Sequence, residues 1–163
     1  MLNFRYRKIG SKKSKQINPI KAGWLLKVKY VSVPKLIKKL DTIFSKYKRL
    51  INLTPQGYIR CFTCGAFLTF RMADCGHYVN RDRMALRFEE KNTECQCHSC
   101  NRDHEGRKSI FALGLQKKYG TGILDWLHQK ENEYKNWTAP ELEEKIVYYK
   151  QKIKLLSELK EGR

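Results

Sequence analysis

Residues 58–101 read YIRCFTCGAFLTFRMADCGHYVNRDRMALRFEEKNTECQCHSCN, and this stretch decides the fold. It holds all six cysteines of the 163-residue chain. Four lie in two C-x-x-C pairs, Cys61 with Cys64 and Cys97 with Cys100, each placing two thiolates on one tight turn. Two such knuckles close a tetrahedral four-thiolate site of the kind Zn2+ prefers. A structural zinc contributes roughly 10–16 kcal/mol to folding, and a module with so few core residues needs it. Because protein fills all four positions, this zinc is expected to be structural. Between the knuckles, short β-like runs alternate with Gly, Asn and Asp, and three groups there carry chemistry: Asp74-Cys75-Gly76-His77-Tyr78, Lys91-Asn92, and Asn101 directly after Cys100.

Working outward, Pro34 opens a helical pattern in which Leu36, Leu40, Ile43, Tyr47 and Leu50 are spaced 4, 3, 4, 3, with Lys on most other positions. Thr54–Gly57 is turn chemistry that closes it. After Asn101 the sequence predicts helices over about 101–118, 122–135 and 139–160, the last opened by a Thr138–Glu141 capping box. Its residues Leu142, Ile146, Tyr149, Ile153 and Leu156 repeat the 4, 3, 4, 3 spacing. The two seams are expected to pack on each other or on a second copy, which makes a homodimer an expectation too. The segment Trp24–Val33 has room for a short strand.

The chain carries a formal charge of +18, and residues 1–60 hold sixteen Lys/Arg against the single acid Asp41. Such a field attracts polyanions, with nucleic acid first among them. No apolar run is long enough to span a bilayer, and the basic start lacks the apolar core of a signal peptide. These features predict a cytoplasmic chain without a membrane partner, whose six cysteines are thiols or metal ligands rather than disulfides.

The run FTCG, DCGHY, RFEEKN, QCHSCN, followed by KKYG and IL, resembles the phage recombination nucleases of the NinG/Rap family, within the wider HNH and endonuclease VII-like group. The similarity is clearest over about residues 36–127 and includes the LDTIFSKY helix. It implies a small α+β fold: a zinc-stapled ββα-metal (HNH) core with flanking α-helices. It also implies that Cys61, Cys64, Cys97 and Cys100 hold zinc, that His77 is the general base and that Asn101 faces a catalytic metal, Mg2+ or Mn2+, in a bacterial host cell. The implied partner is DNA, plausibly branched recombination intermediates such as Holliday junctions.

Phosphodiester hydrolysis needs an activated water and a cation for the extra negative charge. A neutral imidazole suits the first task, so His77 is the candidate base, with Asn92 or a backbone carbonyl fixing its tautomer. Asp74 is the obvious carboxylate for the metal, and His104 or Glu105 would share a face with Asn101 on a helix starting there. In a regular strand Asp74 and His77 point to opposite sides, so a bend at Gly76 is expected to bring both to one site. Cys75 and Cys95 are read as buried thiols, with Cys95 a minor competitor for zinc. Arg71, Arg81, Arg83 and Arg87 flank the hairpin as candidate DNA-binding residues, against the plainer reading of a solvated basic face.

The expected organisation is a basic N-terminal arm over 1–33, a basic amphipathic helix and turn over 34–57, a zinc-containing HNH nuclease core over 58–120, and C-terminal helices over 121–163. The expected function is that of a metal-dependent DNA endonuclease. The competing reading is a non-catalytic zinc-stabilised DNA- or RNA-binding protein, which the charge fits equally well. A DNA-packaging or homing-type HNH nuclease would share the active site and differ in substrate.

Overall fold

The structure, a computed structural model, describes residues 31–161. Most of the basic arm expected over 1–33, and with it most of the strand expected at Trp24–Val33, lies outside the described residues. Val33 itself already opens helix α1 (Val33–Ile51). Pro34 occupies its first turn, where a missing N–H costs nothing. Lys48 and Arg49 in the last turn complement the helix dipole, and Asn52 Nδ2 donates to the Lys48 carbonyl at 2.8 Å, satisfying an end that has no intrahelical partner.

The buried stripe of α1 is Leu36, Leu40, Phe44, Tyr47 and Lys48. The spacing had pointed to Ile43 and Leu50 in place of Phe44 and Lys48. The stripe is broader because α1 packs on helix α4 (Ala139–Glu161) along one side and on two strands along the other. Lys48 is only 3% exposed, yet its ammonium donates to the Glu90 carbonyl at 2.9 Å. On α4 the expected seam is present, with Leu142, Ile146 and Tyr149 buried and Ile153 and Leu156 packed at the margin. Phe44 meets Tyr149 edge-on at 5.1 Å between ring centres. Burying each such side chain stabilises the fold by about 1.5–3 kcal/mol. The two seams therefore pack on each other within one chain.

The capping box at Thr138 is half of the expected one. The Thr138 N–H donates to Glu141 Oε2 at 2.8 Å, but the Thr138 hydroxyl donates to that same oxygen instead of accepting from the helix backbone. Lys135, together with Thr138, holds the Glu141 carboxyl down to about 2.

Between these helices lie two small antiparallel hairpins. Strand β1 (Tyr58–Arg60) pairs with β2 (Phe67–Thr69), and β3 (Ala73–His77) pairs with β4 (Thr93–Cys97). Helices α2 (Lys108–Tyr119) and α3 (Ile123–Glu131) follow, burying Phe111, Leu115, Ile123 and Leu127 against Val79 and Leu86. The architecture is mixed α+β with small sheets. Among the described residues no helix is long and apolar enough to cross a membrane.

Two expectations need correction. The helix predicted from Asn101 begins only at Lys108, because Glu105, Gly106 and Arg107 all adopt left-handed backbone, φ 48°, 80° and 46°, which no helix can include. Residues Ser99–Asp103 form instead a short π turn. Nor does Gly76 bend its strand: β3 and β4 stay in unbroken register from Ala73 opposite Cys97 to His77 opposite Thr93. Gly76 is needed for space, since a Cβ there would lie 2.1 Å from Gln96 Oε1.

Candidate active site and metal centre

Cys61 follows β1, Cys64 stands on the turn after it, Cys97 ends β4, and Cys100 sits in the π turn. Their four sulfurs lie within 4.8 Å of one another. Backbone N–H groups point at them: Cys97 N lies 3.3 Å from Cys61 Sγ, and Cys100 N lies 3.4 Å from Cys97 Sγ. Burial would raise the Cys61 thiol, but hydrogen bonds from the Cys64 backbone, the Thr63 hydroxyl and the Cys97 backbone outweigh it and bring it down to about 6. Cys97 is pushed up to about 12 by burial and by its neighbours Cys100 and Cys61, since four clustered thiols cannot all ionise without a cation among them. A soft four-sulfur set with N–H···S support fits a metal such as zinc.

Cys75 and Cys95 face each other across the hairpin and stand apart from this cluster. Burial pushes each thiol up to about 12, and Cys95 Sγ donates to the Lys48 carbonyl at 3.4 Å, so Cys95 does not compete for the metal.

Beside the cluster a polar cleft opens along β3. His77, Arg81, Asn101 and Arg102 line it, and its inner end reaches Asp74 and Asp41. Asp74 and His77 thus border one hollow although they stand at opposite-facing positions of a regular strand, and Asp41, Phe44 and Ser45 of α1 close it from the other side. Asp74 Oδ2 accepts from Asn101 Nδ2 at 3.2 Å and lies 3.5 Å from His98 Nδ1 and 3.7 Å from Arg102 Nε.

His77 Nε2 lies 3.1 Å from the Arg87 carbonyl. A carbonyl only accepts, so this contact favours the neutral tautomer with its proton on Nε2, and the Cys75 backbone also hydrogen-bonds the ring. Burial, aided by the positive charge of Arg81, lowers the imidazole to about 4, while the Arg87 carbonyl opposes that shift. His77 is therefore neutral at pH 7.

The remaining expected site residues are placed as follows. Asn92 does not touch the imidazole; it is fully buried, its Oδ1 accepts from Val79 N at 2.8 Å, and its Nδ2 donates to the carbonyls of Val79 and Leu86 at 2.9 and 3.1 Å. It staples the loop that carries Arg81 and is a positioning residue. His104 is exposed and lines neither part of the cleft, because the helix that would have turned it inward starts after it. Glu105 does border the cleft, through its left-handed backbone. Arg87 is bound to Asp41 and is not available for phosphate. Arg83 lies 3.5 Å from Glu131, whereas Arg71 and Arg81 are exposed.

Lys108 and Arg102 escaped the sequence reading. Lys108 donates to the carbonyls of His77, at 3.0 Å, and Tyr78. Only the late start of α2 brings Lys108 there, and no local pattern signals it.

The family model described as Bacteriophage Lambda NinG protein matches residues 5–161. "Protein ninG" of Escherichia phage lambda is 32% identical over 95 residues, 58% of this chain and 46% of that relative. "Protein ninG" of Salmonella phage P22 is 30% identical over the same length with the same coverage. The chain thus spans about half the length of the curated relatives it matches. No solved structure matches it.

Proposed function

This chain belongs to the family of the bacteriophage lambda NinG protein, and from that membership and the cleft along β3 we propose that it is a metal-dependent DNA endonuclease with an HNH-type ββα-metal core. The observation that carries the reading is His77. It is neutral, its Nε2 meets the Arg87 carbonyl, and it borders a cleft shared with Asp74, Asn101, Arg81 and Arg102.

In this reading β3, β4 and the π turn are the frame that presents the base and the metal ligands. The neutral His77 imidazole takes the proton of the attacking water, while Arg81 and Arg102 neutralise the phosphate. A phosphate anion in the cleft raises the imidazole back toward neutrality, which strengthens the base where it is used. Asp74 and Asn101 would hold Mg2+ or Mn2+, which supplies charge stabilisation at the scissile phosphate. The four cysteines would hold Zn2+ away from the reaction and fix the frame. Branched recombination intermediates are the proposed substrate, with Arg71, Arg81 and Arg83 as phosphate contacts, and the host cytoplasm is the proposed setting.

One observation favours the second reading, a non-catalytic zinc-stabilised nucleic-acid-binding protein. Among the described residues only the four-cysteine set gathers three or more His, Cys, Asp or Glu ligand atoms closely enough to hold an ion. Incubation with linear, single-stranded and four-way-junction DNA in Mg2+, Mn2+ or EDTA separates the two. The endonuclease reading expects divalent-metal-dependent cuts that His77→Ala slows by about 100-fold or more, with DNA affinity kept. Wild-type protein that binds every DNA and cuts none supports the second reading.

A further inference from the structure

The β1–β2 ribbon has two unlike faces. Ile59 and Leu68 turn inward, 0% and 4% exposed, and pack with Cys61 and Cys100 at the metal centre. Tyr58 and Phe67 turn outward, 49% and 73% exposed, with their rings edge to face at 6.5 Å and 75°. Phe67 is among the most exposed large hydrophobic side chains of the described residues. Arg60 stands opposite Phe67 in the register and Arg71 follows the ribbon, whereas residues 51–73 contain no acidic side chain.

The ribbon is also held firmly. Thr54 N donates to the Tyr58 carbonyl at 2.8 Å, Phe62 N donates to the Cys95 carbonyl of β4 at 2.8 Å, and Cys61 belongs to the four-sulfur cluster. Its outer face therefore has a fixed orientation relative to the hairpin that carries His77.

We propose that the outward pair Tyr58 and Phe67, flanked by Arg60 and Arg71, is a stacking platform for unpaired DNA bases. Every base has a π face, so aromatic rings bind single strands without reading sequence, and neighbouring guanidinium groups take the backbone phosphates. A segment with exposed aromatic rings, two arginines and no acid of its own suits a nucleic acid. The proposal rests on the reading of this chain as a DNA-handling protein and deepens it: the substrate class is DNA with unpaired nucleotides beside a duplex.

The test uses the full chain with zinc, in buffer to which no Mg2+ or Mn2+ is added, so that nothing is cut. The probes are an oligo-dT single strand carrying one 2-aminopurine, read by fluorescence, and a blunt fluorescein-labelled duplex, read by anisotropy. Wild type is expected to change the 2-aminopurine emission on binding. Tyr58→Ala with Phe67→Ala should abolish that change and weaken single-strand binding by about tenfold or more, with duplex affinity held within about twofold. Tyr58→Phe with Phe67→Tyr should restore both, and the zinc content of each variant reports that it is folded. Unchanged single-strand binding in the alanine variant, or an equal loss on the duplex, overturns the platform; so does a fall in sedimenting mass, which would make the face an interface between copies. If a parallel incubation with Mg2+ or Mn2+ shows wild type cutting DNA while the alanine variant still binds single strands normally, the platform alone fails. If wild type binds neither DNA, the nuclease reading fails with it.

Discussion

The guanidinium of Arg87 grips the carboxylate of Asp41 side on, with Nε 3.0 Å from Oδ1 and Nη2 2.6 Å from Oδ2, while its Nη1 donates to the Arg81 carbonyl at 3.0 Å. One residue thus ties α1 to the loop before β4, and its own carbonyl holds His77. Both side chains are about four-fifths buried, so the pair is worth more than a surface bridge. Arg87→Ala should cost about 2 kcal/mol in urea unfolding, with Asp41→Ala costing no more on top of it. If Arg87→Ala leaves stability unchanged and weakens DNA binding instead, the side chain serves phosphate after all.

Asn92 satisfies three backbone groups of one loop with one amide. Asn92→Ala strands them in a buried setting, and a loss of about 3 kcal/mol or more is expected. Asn92→Asp keeps the acceptor for Val79 N and loses both donors, so it should be no better than alanine. Hydrogen exchange at Val79 distinguishes this from a general loosening, because that amide should lose protection first.

His77 links stability to pH with a defined sign. Its folded value near 4 lies below the ordinary value of 6.5, so the neutral ring is favoured by the fold. That stabilisation is complete above about pH 6.5 and disappears as pH falls toward 4, amounting to up to about 3 kcal/mol. His77→Gln should flatten this part of the stability curve relative to wild type. Equal slopes for the two proteins between pH 6.5 and 4 would show that the imidazole titrates normally.

Gly76→Ala is expected to destabilise by about 1–3 kcal/mol despite sitting in a strand, where alanine is ordinarily the better residue. Gln96 cannot step aside: it is fully buried, and its Nε2 donates to the Gly106 carbonyl at 2.8 Å and to Thr63 Oγ1 at 3.2 Å. A melting temperature equal to or above wild type would show that the side chain has another place to go.

One zinc per chain should survive removal of loosely held divalent ions, and Cys61→Ser or Cys100→Ser should lose the melting transition of the central module. Both sulfurs are buried among Ile59, Leu68 and Ala73, so a bare hydroxyl is a poor replacement in packing as well as in ligation. Metal-free protein with full thermal stability would contradict this.

Local pattern made the helix seams legible. Leu36 and Leu40, like Leu142 and Ile146, carry their burial in their spacing, and the cysteine pairs carry their turn in theirs. Residues whose roles are set from far along the chain were not legible. Lys48 is buried because α1 has strands on its second side, Arg87 is occupied because Asp41 arrives from another element, and Gly76 is small because Gln96 lies across the ladder. The late start of α2 hid for another reason: Glu105 and Arg107 take a backbone conformation that their residue types rarely adopt, so nothing local announces the break. His104 went astray with it. At the cleft, the sequence singled out His77, Asp74 and Asn101 one by one, whereas the hollow they share is closed by Asp41, Phe44 and Ser45, which arrive from far along the chain.

The packing of α1 against α4 also sets a timetable. The 87 residues between them take a ribosome roughly 4–17 s to add. Throughout that interval the Leu36, Leu40 and Phe44 stripe lacks Leu142, Ile146 and Tyr149 of α4, while both cysteine knuckles are already outside the exit tunnel before α4 is finished. Metal capture can therefore precede closure of the main apolar cluster, and a truncated translation product would carry a metal-loaded centre beside an open greasy flank. Such a fragment exposes the apolar surface that chaperones and proteases recognise, so α4 shields the α1 stripe as well as packing on it.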